Sequence, residues 1–359
     1  MSSKRIGIIN SGGDCPGLNA VIASVVKSGA ELGYEFYGFI KGWEGLLDPI
    51  QFMKLDSDAV RGIAHLGGTI LGTVNKGRFG AKAGEGNSRQ IPEDVLHEAR
   101  DNCKALGLSG LIVIGGDGTL SGALQLMEAG VPIVGVPKTI DNDLQHTDRT
   151  FGFSTATQVA VDALDRVHTT ATSHQRMIFV ETMGRHAGWI AIRAGLAGGA
   201  DAILIPEFPF ALEDLVAMMQ RRQAEGRSAT IVVAEGAKVH GQRVHEGEAL
   251  DREVKLGGIA QYLIRAIDEM APDAFDMRAT VLGHIQRGGT PTAGDRALAK
   301  AYGVAAMKAF DQGKFGQMVI YHNAGMGTIP LADAVGSIKV VCPNTMEYET
   351  ARALGVFVH

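Results

Sequence analysis

Apolar and polar positions alternate with two different periods along this chain, and the clearest change of period falls within residues 111–143. Two short apolar runs, Leu111–Ile114 and Ile133–Val136, each end in glycine, proline and acidic residues. Between them Leu120, Leu124, Met127 and Val131 recur at helical spacing. The pattern predicts strand, turn, helix, strand: a βαβ unit whose chemistry lies at the carboxyl ends of its strands. Ile6–Ile9 reads as a buried strand running into Ser11–Asn19, and Val21, Ile22, Val25, Val26 and Gly29 trace the inner face of a following helix. A strand at 35–40, a glycine-rich loop at 65–80 and an amphipathic helix at 92–106 opening on Pro92 come next. Beyond Asp143 the pattern predicts a helix over 154–171, then strands Met177–Val180, Ala202–Ile205, Thr230–Val233 and Ala279–Leu282. Helices near Trp189–Leu196, 212–225 and 257–270 separate them. Strand and helix alternate throughout, so the expected fold class is α/β, with mainly parallel sheets flanked by helices.

Bulk properties narrow the function. The chain has 359 residues, 45% apolar and 20% charged, enough for about two domains with sizeable cores. A net charge of −5 argues against nucleic acid as the main partner. The three cysteines, Cys15, Cys103 and Cys342, are far apart without ligand spacing, and Cys15 is expected to be inert. No stretch approaches the ~20 apolar residues of a membrane helix. The start MSSKRIGIIN is too short an apolar run for a signal peptide, so a cytoplasmic location with no membrane partner is expected.

Candidate chemistry sits in the turns. Gly115-Gly116-Asp117-Gly118-Thr119 offers bare backbone amides at a helix start, which suits phosphate. A carboxylate in such a loop repels phosphate unless a cation intervenes, so Asp117 implies magnesium. Gly12 and Gly13 stand in a second strand-to-helix turn, and two such turns at one sheet edge can hold the two ends of one phosphate chain. Thr139, Asp141 and Asp143 alternate along what reads as an extended stretch and are expected to face one side. A phosphate cradle with a carboxylate able to accept a hydroxyl proton is the equipment of a kinase. Arg176, Arg185, Arg278 and Arg287 stand at strand ends or in adjacent loops, and four guanidiniums suit a dianionic sugar phosphate. His284 lies three residues before Arg287.

GGDGT followed by PKTIDND, MGRHAG at 183–188 and GHIQRGG at 283–289 together resemble the 6-phosphofructokinase family, from the first strand to about residue 330. The resemblance implies phosphorylation of the 1-hydroxyl of fructose 6-phosphate in glycolysis, with Asp141 as general base and Asp143, Arg185, Lys138 and Gly118 as further catalytic positions. It gives Gly12, Gly13, Gly116, Asp117, Gly118 and Thr119 to the donor, with Asp117 on Mg2+. It gives Thr139, Ile140, Asp141, Met183, Gly184, Arg185, Glu235, Ile285 and Gln286 to the sugar or the transferring phosphate, and Arg176, Arg278, His284 and Arg287 to the 6-phosphate. In this family, whose members include allosteric homotetramers, Arg176 and Arg278 reach a neighbouring subunit's site. The implied lobes are 1–152 plus 286–336 for the donor and 153–285 plus 337–359 for the sugar. Asn75 stands where similar chains most often carry arginine, leaving Lys76 and Arg78 as candidate cations. The donor signals are mixed. Gly118 leaves room for ATP, whereas Lys138 is the residue of pyrophosphate users. Steric exclusion is the harder constraint, so ATP is the expected donor and pyrophosphate the alternative. Another GGDGT kinase, such as an NAD kinase, would need neither PKTIDND nor the arginines.

Overall fold

The strands foreseen from apolar runs are largely buried except the one at 277–281, and of the four strands the pattern missed three lie at a sheet edge. The computed structural model describes residues 4–74, 77–79, 90–240 and 258–358. Its strands are β1 Lys4–Asn10, β2 Tyr34–Phe39, β3 Phe52–Leu55, β4 Leu108–Gly115, β5 Ile133–Pro137, β6 Met177–Thr182, β7 Ala202–Leu204, β8 Ala229–Ala234, β9 Met277–Val281, β10 Gln317–His322, β11 Gly325–Pro330 and β12 Phe357–Val358. The helices are α1 Leu18–Ala30, α2 Glu93–Ala105, α3 Asp117–Glu128, α4 Phe153–His174, α5 Trp189–Ala197, α6 Leu212–Ala224, α7 Ile259–Met270, α8 Ala293–Asp311, α9 Leu331–Ala334 and α10 Met346–Ala353.

The chain forms two units. The first comprises 1–140, 144–155 and 287–338; the second comprises 141–143, 156–286 and 339–359. In the first, the sheet order is β11-β10-β5-β4-β1-β2-β3. The four strands from β5 to β2 pair in parallel, β10 joins β5 in parallel, and β3 and β11 close the edges antiparallel. β5 is buried along its whole length and β4 along its last six residues, whereas β11 alternates exposed and half-buried. Helices on the two faces account for this: a parallel strand between helix layers must be apolar on both sides. The core includes Ile9, Phe39, Trp43, Leu111, Val113, Leu120 and Met318.

The second unit has the order β12-β7-β8-β6-β9, parallel at every pairing. Phe179, Leu204, Phe210, Leu215, Ile231 and Leu263 are among its core residues. Full burial of each such side chain contributes about 1.5–3 kcal/mol. The fold class is therefore α/β with mainly parallel sheets flanked by helices. Among the described residues no helix is long and apolar enough to cross a membrane.

Candidate functional site

In the first unit the site is built from three adjacent strand ends. After β1 the chain turns outward to β2, then crosses back to β4 on the other side of β1. That reversal is a topological switch point, where the loops of β1 and β4 diverge and leave a crevice. The loop after β1 is tied down by Ser11 N donating to Ile114 O (3.2 Å), Gly12 N to Val74 O (3.2 Å) and Thr73 Oγ1 to Gly12 O (2.6 Å). Gly12 has φ 81°, and a Cβ on it would stand 3.3 Å from Thr119 Oγ1 and 3.5 Å from Lys138 Nζ. Gly12, Thr119 and Lys138, foreseen separately from sequence, are thus brought together. Lys138 is buried, and its ammonium donates to the Gly13 carbonyl. α3 starts at Asp117 with Gly116 as N-cap and no capping side chain, so its first amides face the loop without an intrahelical acceptor. Amides, a helix dipole and a buried ammonium at one point make an anion cradle.

Asp117 is half-buried, and Oδ1 accepts from Gly336 N at 2.8 Å. Burial pushes its carboxyl above the usual range despite that amide. A cation beside it would offset this penalty. Among the described residues no three His, Cys, Asp or Glu cluster into a metal cage. One carboxylate beside a phosphate cradle fits Mg2+, which keeps several waters and shares phosphate oxygens.

Two of the candidate cations, Arg287 and Arg78, have described partners. Arg287 falls in the first unit and His284 in the second. The Arg287 guanidinium lies over the first glycine loop, with Nη1 3.4 Å from Asp14 O and 2.5 Å from where a Gly13 Cβ would stand. Arg78, a candidate for the role expected at Asn75, is held by Glu98 through Nη1 (2.8 Å) and Nη2 (2.9 Å). Asn75 and Lys76 lie outside the described residues. Cys15 is inert as expected: burial raises its thiol to about 12.

The PKTIDND stretch departs from its expected shape. Asn142 has φ 54°, so the backbone turns between Asp141 and Asp143 and the alternation of an extended strand does not hold there. Asparagine tolerates this left-handed conformation better than most residues. The bend carries Asp143 O to an amide of the C-terminal segment, Lys339 N, at 2.8 Å. Ile140 is buried against Gly152, while Thr139 O accepts from Thr150 Oγ1 at 2.7 Å.

In the second unit the parallel register gathers a group at the carboxyl edge. Thr182 pairs with Ala234, Glu235 N donates to Thr182 O (2.9 Å) and Leu282 N donates to Glu181 O (2.9 Å). Met183, Gly184, Arg185, Glu235 and His284 therefore leave the sheet side by side. Arg185 and His284 are exposed and Glu235 is half-buried. The Met183–Arg185 turn is fixed by Gly236, whose N donates to Gly184 O (3.2 Å); a Cβ on Gly236 would stand 2.0 Å from Arg185 O. Gln286, expected to touch sugar, is instead fully buried. Its Oε1 accepts from Met183 N (2.8 Å) and its Nε2 donates to Ala156 O (3.2 Å), so its amide sets the backbone of the turn. Ile285 is 61% exposed.

Arg176 and Arg278 lie at the other end of the same strands. Arg176 precedes β6, and Arg278 pairs with Ile178 near the start of β9. Met183 is seven residues past Arg176 along β6, roughly 20 Å at ~3.3 Å per residue. Within the second unit Arg176 and Arg278 thus stand at the end of the sheet opposite Arg185.

Sequence reasoning missed Gly236, Lys339, Gly336 and Glu181. Glu181 is buried and caps α7, accepting from Gly258 N (2.8 Å) and Ala260 N (3.0 Å). A lone acid in the apolar run MIFVET was the available signal for Glu181; the two backbone donors, Gly336 and Lys339, had none.

The family model described as Phosphofructokinase matches residues 5–310. A Chloroflexus aggregans protein named ATP-dependent 6-phosphofructokinase is 48% identical over 360 residues, covering 99% of this chain and 98% of that protein. A Streptomyces coelicolor protein named pyrophosphate–fructose 6-phosphate 1-phosphotransferase is 46% identical over 351 residues, covering 96% of this chain and 98% of that protein. Among solved structures, phosphofructokinase from Saccharomyces cerevisiae superimposes with TM-score 0.77 and 32% identity over 92% of this chain, which spans 45% of the yeast chain. A pyrophosphate-dependent phosphofructokinase from Marinobacter aquaeolei shares the fold, with TM-score 0.79 at 21% identity over 99% of this chain and 92% of that one. The switch-point cradle, the ordered motifs and these matches lead to one conclusion: the chain belongs to the phosphofructokinase family.

Proposed function

We propose that this protein transfers the terminal phosphoryl group of ATP to the 1-hydroxyl of fructose 6-phosphate, giving fructose 1,6-bisphosphate. The observation that carries the reading is the convergence of Gly12, Thr119 and Lys138 on one point at the β1/β4 switch. The α3 amides and the Lys138 ammonium hold the donor's phosphates. Asp117 would hold Mg2+, which when bound supplies positive charge to the phosphate oxygens. Asp141 accepts the proton of the attacking hydroxyl, and Asp143 orients it. Arg185, Met183, Gly184 and Glu235 position the acceptor.

An open surface hollow beside α3, lined by Ile91, Leu96, Ser121, Leu124 and Gln125 among others, leaves room for a nucleoside and so supports ATP over pyrophosphate. Leu124 lies five residues along the helix from Thr119, about 7.5 Å at ~1.5 Å per residue, a reach that suits a nucleoside attached to cradled phosphates. Pyrophosphate has no group to put there. The pyrophosphate reading retains one supporting feature, the buried Lys138 at the glycine loop. Relatives carrying each donor's name stand at comparable identity.

The arginine positions support a homo-oligomer. A span of roughly 20 Å is more than one hexose phosphate bridges, so Arg176 and Arg278 would serve the site of a second copy. β9 is an edge strand, and Val281 (51%) and Ile285 (61%) are exposed beside it, an apolar edge suited to burial between subunits. A cytosolic, glycolytic setting follows from the substrates.

The test is turnover of fructose 6-phosphate with magnesium and either donor, using wild type and Asp141→Asn. Faster turnover with ATP is expected. The variant should lose roughly 10²–10⁴ in kcat with little change in sugar KM, since shape is kept and proton acceptance is lost. A wild type inactive on fructose 6-phosphate with both donors would refute the assignment.

A further inference from the structure

At the amino-terminal end of the second unit's sheet, Asp276 stands between the two arginines that precede or open β6 and β9. Its Oδ2 accepts from Arg176 Nε at 2.7 Å, and its Oδ1 meets Arg278 Nη1 at 2.6 Å. The backbone fixes the clamp, because Met177 N donates to Asp276 O at 3.0 Å and Met177 pairs with Met277 in the parallel register. Arg278 Nη1 also donates to the Met277 carbonyl at 2.8 Å.

We infer that Asp276 is a positioning residue for phosphate recognition: it divides its two oxygens between Arg176 and Arg278 and so presents both guanidiniums to one phosphate dianion. Two physical reasons support this. Adjacent guanidiniums repel each other, and a carboxylate between them lowers that repulsion while leaving the cluster one positive charge in excess. The atoms used also matter. Binding Arg176 through Nε leaves its two terminal nitrogens for a bidentate grip, and binding Arg278 through Nη1 leaves Nη2 and Nε. A carboxylate serving one arginine alone would leave the other sweeping its rotamers, at an entropic cost on binding. The groups facing Asp276 are Arg176 and Arg278, with His174 farther off on the end of α4, and the Arg176 guanidinium beside it holds its carboxyl below the usual range. The carboxylate is therefore charged at neutral pH. The inference rests on fructose 6-phosphate being the acceptor, and it makes Asp276 a determinant of the phosphate ester rather than of the hydroxyl attacked.

The experiment compares wild type, Asp276→Asn, Asp276→Glu and Arg176→Ala with or without Asp276→Asn, at concentrations where sedimentation gives the same association state. Asp276→Asn should raise the KM for fructose 6-phosphate about 5–20-fold, with kcat and the ATP KM within about twofold of wild type. Asp276→Glu should recover part of that loss. In the Arg176→Ala background the substitution should cost about threefold or less, because the clamp is already broken. A sugar KM that is unchanged or lower, a loss confined to kcat, or a Glu variant no better than Asn would each overturn the inference. Wild type failing to phosphorylate fructose 6-phosphate at all would instead sink the functional assignment beneath it.

Discussion

Lys138 concentrates the donor question in one side chain. A buried ammonium is costly unless its protons are taken up, and the Gly13 carbonyl takes one. The remaining protons lie where Thr119 and Gly12 meet. If this ammonium stabilises charge that develops during transfer, Lys138→Met, which keeps most of the bulk, should lower kcat by roughly 10²–10³ while leaving the ATP KM nearly unchanged. Gly118→Asp should act oppositely, abolishing ATP use by placing charge and bulk in the first turn of α3 while sparing any activity with pyrophosphate. Steady-state kinetics with both donors separate the two. A Lys138→Met enzyme turning over at the wild-type rate would remove the ammonium from the chemistry. Residue types at turns were legible from sequence because GGDGT, PKTIDND, MGRHAG and GHIQRGG occur together and in order, although glycine and aspartate alone are common in ordinary turns. The bend at Asn142 and the burial of Gln286 were not legible, because both depend on partners far along the chain, Lys339 in one case and Ala156 with Met183 in the other.

At the scale of elements, the sequence disclosed most of the strands but concealed three of the four sheet edges, β3, β11 and β12, and the inner strand β10. β4, β5, β6 and β8 are unbroken apolar runs because helices cover both faces. β3, β10, β11 and β12 carry mixed patterns such as QMVIYH and GMGTIP that periodicity does not separate from loop. α8, nineteen residues long, also escaped notice, since its alanine-rich surface AGDRALAKAYGVAAMKAFD lacks a strong apolar stripe. Its first turn nevertheless holds a fully buried carboxylate. Asp295 Oδ2 accepts from Thr155 N (2.7 Å) and Thr155 Oγ1 (2.6 Å), fixing the first turn of α4. Asp295→Ala leaves two buried donors unsatisfied and should destabilise by about 2–4 kcal/mol, read from denaturant midpoints. Burial raises the Asp295 carboxyl above its ordinary value. Folding then disfavours its charged form, a cost fully present above the raised folded pKa and absent below the unfolded value near ~3.9. Asp295→Asn carries no such cost, so the stability of wild type relative to Asp295→Asn should improve as pH falls through that window. A difference independent of pH would mean that burial leaves the Asp295 carboxyl unshifted between folded and unfolded protein.

The whole molecule raises a question that one chain does not answer from within. Parallel pairing of β6 with β9 sends Arg185 and His284 out at one edge and Arg176 and Arg278 at the other. Shortening that separation would require the strands to be broken, so residues from both edges meet one ligand only if a second copy supplies one set. A C2 pairing does this reciprocally, each copy lending its Arg176 and Arg278 and receiving the other's. Mixing impaired chains tests it, assayed at fructose 6-phosphate far below the KM of Arg176→Ala. Asp141→Asn lacks the proton acceptor and Arg176→Ala lacks a phosphate grip, yet a hybrid dimer contains one site with both wild-type residues and one with neither. Random reassortment of equal amounts gives hybrids as half of the dimers, each with one of its two sites intact. About a quarter of wild-type activity should therefore return after dissociation and reassembly. Self-contained sites predict none, because every site would then carry one of the two substitutions. Native electrophoresis of differently charged tags on the two chains verifies that hybrids formed. Confirmed hybrids without recovered activity would exclude shared sites.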